Sequence, residues 1–399
     1  MPCRQSIGGQ WATAKLLAGL RMDIYRSLGV EPLINAAGTL TRMSGSVMLP
    51  EVVEAMEAAS RHFVDMEELH RGAGRRAAEL VGVEAAHICA CATAGIALMA
   101  AACMAGTEGD KIRQLPDTAG LRRKFAAFRA HRNGFDQALR LAGGQFVEVD
   151  DSLAGLEDIL QRDDLAGVFY TFSWFCPAGV PTLPQVTERA ARAGVPVIVD
   201  AAAEIPPLEN LRRFVDEGAA LVAFSGGKAL RGPQASGLVL GRADMVEACR
   251  LHDSPNMGVG RGMKAGKEEI VGLVRALELY SERDHDADRA CWDGRLNTIE
   301  RHLQEVPHVQ LWRQMPYGLG QLIPHLAIQW DENVRQASHQ QVQVRLKAGQ
   351  PRIAVQLIHE PVYAFARDVG AHLRVHPHTL QEGEEEAVGQ ALRQELGSL

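Results

Sequence analysis

The chain has 399 residues, 46% hydrophobic and 23% charged, with 39 glycines and 18 prolines, an ordinary globular composition that excludes collagen-like, disordered and miniature disulfide-stapled folds. A net charge of −7, from 42 Lys+Arg against 49 Asp+Glu, gives no basic field to gather phosphodiester backbones, so no nucleic-acid partner is expected. At this length one large domain with a smaller companion is the natural expectation.

The seven cysteines are odd in number and mostly sit inside apolar runs, which points to reduced thiols and a cytoplasmic protein. Residues 11–20 are apolar but interrupted by Lys15; they are too short to cross a bilayer or to act as an ordinary export signal. Residues 1–21 carry little pattern, and Met22, before Asp23-Ile24-Tyr25, is a candidate start.

From about residue 50 to 280, short apolar runs alternate with helix-patterned segments. Strands are expected at 87–91, 145–149, 167–171, 195–199, 221–224 and 237–240. The alternation predicts an α/β fold with a doubly wound, mostly parallel sheet, and the unbroken apolar runs at 195–199 and 221–224 read as strands buried on both faces. The charged residues 283–294 are read as an interruption that marks the domain transition. Beyond them, strands at 325–330, 352–357 and 372–375 and helices within 334–347 and 383–396 predict a small α+β domain. The organisation expected is an N-terminal arm (1–45) packing on the small domain or on a partner subunit, a large domain (46–285) and a small C-terminal domain (286–399).

Ligands of open α/β sheets sit beyond the carboxyl ends of the strands, where Asp200 and Lys228 fall. Pyridoxal phosphate chemistry wants this pair: the lysine joins the cofactor aldehyde and the carboxylate keeps the pyridine nitrogen protonated. Singly, each has a plainer reading, an Asp capping a helix and a solvated Lys in a turn; together, at the ends of successive strands, they favour the cofactor. Ser225 and the two glycines beside Lys228 suit close approach of a phosphate and a ring. Ala202, placed on the same side as Asp200, leaves room beneath a flat ring.

Cys91-Ala92-Thr93-Ala94-Gly95 opens an apolar helix and supplies free amides for a phosphate; the plainer reading is a Thr cap. Arg261 and Lys264, in a glycine-rich loop leading to the helix that begins near Lys267, are candidate contacts for a distal anion, with a solvated basic turn as the competitor. His131 is a candidate for stacking on the ring or moving protons, against a surface histidine. Arg352 is a candidate carboxylate grip, against a structural ion pair. Cys89-x-Cys91 reads as core rather than a zinc half-site, so no metal is expected. His372, His376 and His378 read as a strand with one wet face, and the acidic run 384–386 as a helix first turn.

The stretches Val195-Pro-Val-Ile-Val-Asp200-Ala-Ala-Ala-Glu204, Phe224-Ser-Gly-Gly-Lys228-Ala-Leu-Arg-Gly-Pro-Gln-Ala-Ser-Gly237 and Gly260-Arg261-Gly-Met-Lys264-Ala-Gly-Lys267-Glu268 resemble the fold-type I pyridoxal phosphate enzymes related to bacterial selenocysteine synthase. Within that group the nearest likeness is to D-glucosaminate-6-phosphate ammonia-lyase and its relatives. Ile34-Asn35-Ala-Ala-Gly38-Thr39 and His131-Arg132-Asn133 extend the likeness over roughly residues 23–280.

The resemblance implies a seven-stranded large domain, a small C-terminal domain, and a homodimer or higher even oligomer with active sites at subunit interfaces. It implies that Lys228 is the Schiff-base lysine and Asp200 the pyridinium partner, that Ser225 with Thr93, Ala94 and Gly95 hold the phosphate, and that His131 stacks on the ring. No RNA-binding domain like that of selenocysteine synthase is evident, which with the acidic balance disfavours a tRNA substrate. The expected reaction is α,β-elimination from an anionic β-hydroxy amino acid, such as a phosphorylated amino sugar acid, giving a 2-keto acid and ammonia. Aldol cleavage, racemisation and transamination are the alternatives within the cofactor class, and a catalytically inactive binding protein is the alternative outside it.

Overall fold

The computed structural model describes residues 24–173, 180–315, 321–359 and 370–397. In chain order its strands are β1 (Ile34–Ala36), β2 (Ala85–Cys89), β3 (Lys124–Phe128), β4 (Gln145–Val149), β5 (Leu165–Thr171), β6 (Val197–Asp200), β7 (Leu221–Ser225), β8 (Gly237–Gly241), β9 (Val309–Gln314), β10 (His325–Trp330), β11 (Ile353–Ile358) and β12 (His372–Val375). Two compact units emerge: the larger runs from Ser44 to Arg283 and takes in Gln321 and Leu322, and the smaller holds the remaining described residues.

The larger unit is built on a seven-stranded sheet ordered β2-β8-β7-β6-β5-β3-β4. Strand β8 is antiparallel to both its neighbours, and the others run parallel. The central strands are buried on both faces because every residue of Leu165-Ala-Gly-Val-Phe-Tyr-Thr and Val197-Ile-Val-Asp is withdrawn from water. Alternate residues serve different cores: Val197, Val199, Val222 and Phe224 pack into one apolar cluster, Ile198, Leu221 and Ala223 into another across the sheet. Each such aliphatic or aromatic side chain contributes about 1.5–3 kcal/mol by leaving water. The helix Ala92–Ala105 is apolar all round, and twelve of its fourteen residues are buried, as expected of a helix enclosed by the sheet and neighbouring helices.

The smaller unit carries a five-stranded sheet ordered β1-β11-β12-β10-β9, in which β1 pairs in parallel with β11, Ile34 opposite Ile353. Its core joins Leu326, Ile328, Val355, Leu373 and Val375 to Leu296, Ile299, Leu303, Val388 and Leu392 of the helices His285–Leu303 and Glu384–Gly397.

Four expectations are corrected. β3, missing from the sequence reading, occupies a place between β4 and β5. Strand β2 ends at Cys89 rather than Cys91, because Cys91 already caps the next helix. The charged residues 283–294 are no interruption: Asp284 accepts from the amides of Asp286 and Ala287 and opens the nineteen-residue helix His285–Leu303. The face of β12 read as wet is buried, with His372 at 0%, Arg374 at 4% and His376 at 8% exposure; His376 Nε2 lies 2.7 Å from Gln356 Oε1 and its ring packs on His325.

Candidate active site

Two adjacent parallel strands of the larger unit, β6 and β7, deliver the main pair. Asp200 is the last residue of β6 and Lys228 follows the end of β7 by three residues. No helix starts after Asp200; instead its Oδ1 accepts the Ala202 amide at 3.0 Å in a tight turn, so the helix-cap alternative fails. Ala202 therefore lies in that turn, and the strand alternation used to place it does not reach it. Asp200 is 6% exposed, and its other oxygen makes no hydrogen bond among the described residues. Burial raises its pKa, against the Ala202 amide and the field of Lys228.

The loop bearing Lys228 is rigid for local reasons. The Gly226 amide donates to Ser236 O, the Gly232 amide to Gly226 O, and both the amide and hydroxyl of Ser46 to Gly227 O. A side chain at Gly226 would meet Ser236 Oγ at 2.1 Å, and one at Gly227 would lie 2.7 Å from the Gln234 backbone, so the two glycines before the lysine are demanded by packing. Lys228 is half-buried, and its ammonium makes no hydrogen bond or ion pair among the described residues. Burial lowers its pKa while Asp200 and Glu204 push the other way.

The helix Ala92–Ala105 points its N-terminus from the end of β2. Its cap is Cys91, not Thr93: the Cys91 Sγ accepts from the Ala94 amide at 3.3 Å, and Gly95 N donates to Cys91 O. The amides of Ala92 and Thr93 have no hydrogen-bond partner among the described residues, leaving them to a phosphate. A Cβ on Gly237 of β8 would stand 2.4 Å from Cys91 C and 2.8 Å from Ala92 N, so the cradle lies directly on the β8 backbone.

His131 is no surface histidine. It is 3% exposed, its ring stands edge-on to Tyr170 at 4.5 Å and Phe128 at 5.6 Å, and burial drops its pKa to about 4. Its Nδ1 accepts the amide of Thr171, the residue of β5 registered opposite Asp200.

Arg261 and Lys264 stand exposed, without ion-pair partners among the described residues. Arg352 is not poised for a substrate carboxylate: its Nη1 donates to Glu31 O at 2.9 Å and its Nε to Lys347 O at 3.2 Å, making it a staple between backbone segments. Cys89 is buried in β2, and among the described residues no three His, Cys, Asp or Glu are arranged to hold a metal. Sequence reasoning passed over Glu204, which is fully buried with both carboxyl oxygens unpartnered; its only signal was its place four residues after Asp200. The Asp200 carboxyl oxygen that makes no hydrogen bond, the unpartnered Lys228 and the open amides at Ala92 and Thr93, all judged among the described residues, together fit pyridoxal phosphate.

Comparison with known proteins agrees. Residues 193–308 match the family model SelA: L-seryl-tRNA selenium transferase. The chain is 32% identical over 386 residues to a 5'-C-glycyluridine monooxygenase-decarboxylase from Streptomyces sp, covering 93% of this chain and 92% of that one. It is 36% identical over 270 residues to D-glucosaminate-6-phosphate ammonia lyase of Salmonella typhimurium, covering 65% of this chain and 70% of the relative. A solved D-glucosaminate-6-phosphate ammonia-lyase superposes with a TM-score of 0.80 at 28% identity, over 94% of this chain and 98% of the other. A serine palmitoyltransferase with pyridoxal phosphate, at 12% identity and a TM-score of 0.59, shares the fold.

Proposed function

Because the chain belongs to the pyridoxal-phosphate-dependent family that joins SelA to D-glucosaminate-6-phosphate ammonia-lyase, we propose that it is a lyase that releases ammonia from a β-hydroxy amino acid, the substrate class being phosphorylated amino sugar acids. The observation that carries this is the pair at the ends of β6 and β7, a buried Asp200 with one oxygen outside any hydrogen bond among the described residues and a half-buried Lys228 with no partner among them.

When bound, the cofactor supplies an electron sink for the electron pair left at the substrate Cα. Asp200 holds the proton on the ring nitrogen, and burial keeps water from competing for it. Lys228 would hold the cofactor through its aldehyde and would serve as the base toward the substrate Cα proton; burial lowers its pKa, which favours the free amine. The amides of Ala92 and Thr93, with Ser225, hold the phosphate; Ala94 and Gly95 keep that turn slim, and Ala202 leaves space under the ring. His131, whose pKa burial lowers to about 4, would offer the ring an uncharged aromatic face. Arg261 and Lys264 meet the distal anion of the substrate. Loss of the neighbouring hydroxyl as water, then hydrolysis, yields a 2-keto acid and ammonia.

A cytoplasmic homodimer or higher even oligomer is part of the proposal, supported by free thiols at Cys89, Cys91, Cys103 and Cys249 and by an exposed basic loop available to a second copy. Among the described residues no helix is long and apolar enough to cross a membrane.

A second reading has its own support, since the monooxygenase-decarboxylase is similar over nearly the full length of both chains. The test is a panel of β-hydroxy amino acids, with and without phosphate, assayed together for ammonia, 2-keto acid, oxygen uptake and carbon dioxide. Ammonia and keto acid without oxygen uptake support the lyase; oxygen consumption with carbon dioxide replaces it by the oxidative reading.

A further inference from the structure

Glu204 is the most unusual group in the larger unit. It is 0% exposed, and neither carboxyl oxygen has a hydrogen-bond partner, whereas buried polar groups are normally satisfied. Its backbone is fixed: the amide donates to Ala201 O at 3.0 Å, and the carbonyl accepts from Asn210 Nδ2 at 2.6 Å. The preceding carbonyl, of Ala203, accepts from Gln321 Nε2 at 2.9 Å. The turn's backbone is thereby fixed, and the carboxyl it carries is enclosed away from water. The charges that act on it are those of Lys228 and Asp200; Asn210 and Gln321, which brace its turn, are neutral.

An ionised carboxylate without hydrogen bonds and away from water is strongly disfavoured. Burial raises the pKa to about 8, Lys228 pulling it down and Asp200 pushing it further up. The site consequently holds two carboxyls with different duties: Asp200 serves the ring nitrogen, and Glu204 is left facing the field of the lysine.

We propose that Glu204 is a positioning residue for Lys228: as a neutral carboxyl it leaves the lysine a free amine ready to take the cofactor aldehyde, and as a carboxylate it stabilises the lysine as ammonium. This rests on the reading of Lys228 as the cofactor-binding amine. Glu204 carries no contact with the substrate, since it is sealed from solvent.

The proposal fixes the sign of a pH effect. Below about pH 7 Glu204 and a glutamine in its place are both uncharged, so wild type and Glu204→Gln present the same free-amine fraction. Above about pH 8 wild type acquires a negative charge that holds the proton on Lys228, and Glu204→Gln does not. The rate at which apo-protein captures pyridoxal phosphate, followed by absorbance from pH 6 to 10, is expected to match in the two proteins at the acid end. At the alkaline end it is expected to be about two- to tenfold faster in Glu204→Gln, since a pKa difference of one unit is a factor of ten in protonation. Equal rates throughout, or a uniform slowing of the variant, would overturn the inference. No capture by wild type would instead sink the cofactor reading of Lys228.

A second measurement avoids the variant. In apo-protein with 13C-labelled glutamate carboxyls, one carboxyl should titrate near pH 8, and Lys228→Ala should move it upward by removing the opposing charge. An unmoved resonance contradicts the coupling.

Discussion

Two clusters of titratable groups in the larger unit differ in one respect. His87 and Asp253, 1% exposed each, face one another at 2.8 Å, and Asp253 Oδ1 also accepts the Ser254 amide at 2.7 Å. Asp200, Lys228 and Glu204 lie around the ends of β6 and β7, the two carboxyls buried and the lysine half-buried, yet between their side chains they make one hydrogen bond, from Ala202 N to Asp200. A buried polar group that has found its partner is architecture; one held rigidly without a partner is set aside for a ligand. The two clusters should therefore respond to mutation in opposite ways.

The largest effect is expected at Lys228. Replacement by alanine should abolish the bound-cofactor absorbance and lower kcat/KM by at least about 10³-fold, in keeping with loss of a covalent catalytic group, while the melting temperature of the apo-protein hardly changes. Next is Asp253→Ala, which leaves His87 without its partner in the core: chemical denaturation should show a loss of about 1–3 kcal/mol, with the cofactor spectrum of the folded fraction intact. A change in spectrum without loss of stability would reverse the assignment of the two clusters.

Gly237→Ala sharpens the comparison at the phosphate end. Its Cβ would intrude on Cys91 and Ala92, so cofactor titration should show about tenfold weaker binding, equivalent to about 1.4 kcal/mol. Smaller still is Arg352→Ala, which loses two backbone contacts and should cost about 1 kcal/mol of stability with KM unchanged. Arg261→Ala, by contrast, should raise KM and leave stability alone.

A pH-dependent effect concerns Glu204 in the apo-protein. Its folded pKa, about 8, lies above its ordinary value of 4.5, so its contribution is intact below about pH 4.5 and is lost as the pH rises to about 8. Glu204→Gln should melt with wild type near pH 5 and above it near pH 9.

The sequence was most readable where one physical constraint dominated. The unbroken apolar runs of β6 and β7 marked strands buried on both faces, and with them came Asp200 and Lys228. β4, β10 and β12 were expected at their observed bounds. β3 escaped because Arg122, Arg123 and Lys124 precede only four apolar residues, Phe125-Ala-Ala-Phe128, too short a run to separate strand from helix. The start of the helix His285–Leu303 escaped because its first half buries nothing; only Leu296, Ile299 and Leu303 face the core.

Among site residues, Arg352 looked available in sequence because a partner carbonyl at Glu31, 321 positions away, leaves no local trace. The burial of Glu204 is likewise tertiary: it arises from the loop folding back on Asn210 and Gln321. A glutamate after three alanines carries no periodicity from which that could be read.

The central claim is that the unpartnered pair at the ends of β6 and β7 holds pyridoxal phosphate through Lys228. It is tested most directly by the visible absorption spectrum of the purified protein supplied with the cofactor, before and after borohydride, in wild type and Lys228→Ala. A protein-bound band that borohydride fixes covalently in wild type and that is absent from the variant is the predicted result. A folded wild type with no such band, or a variant that retains it, would contradict the account.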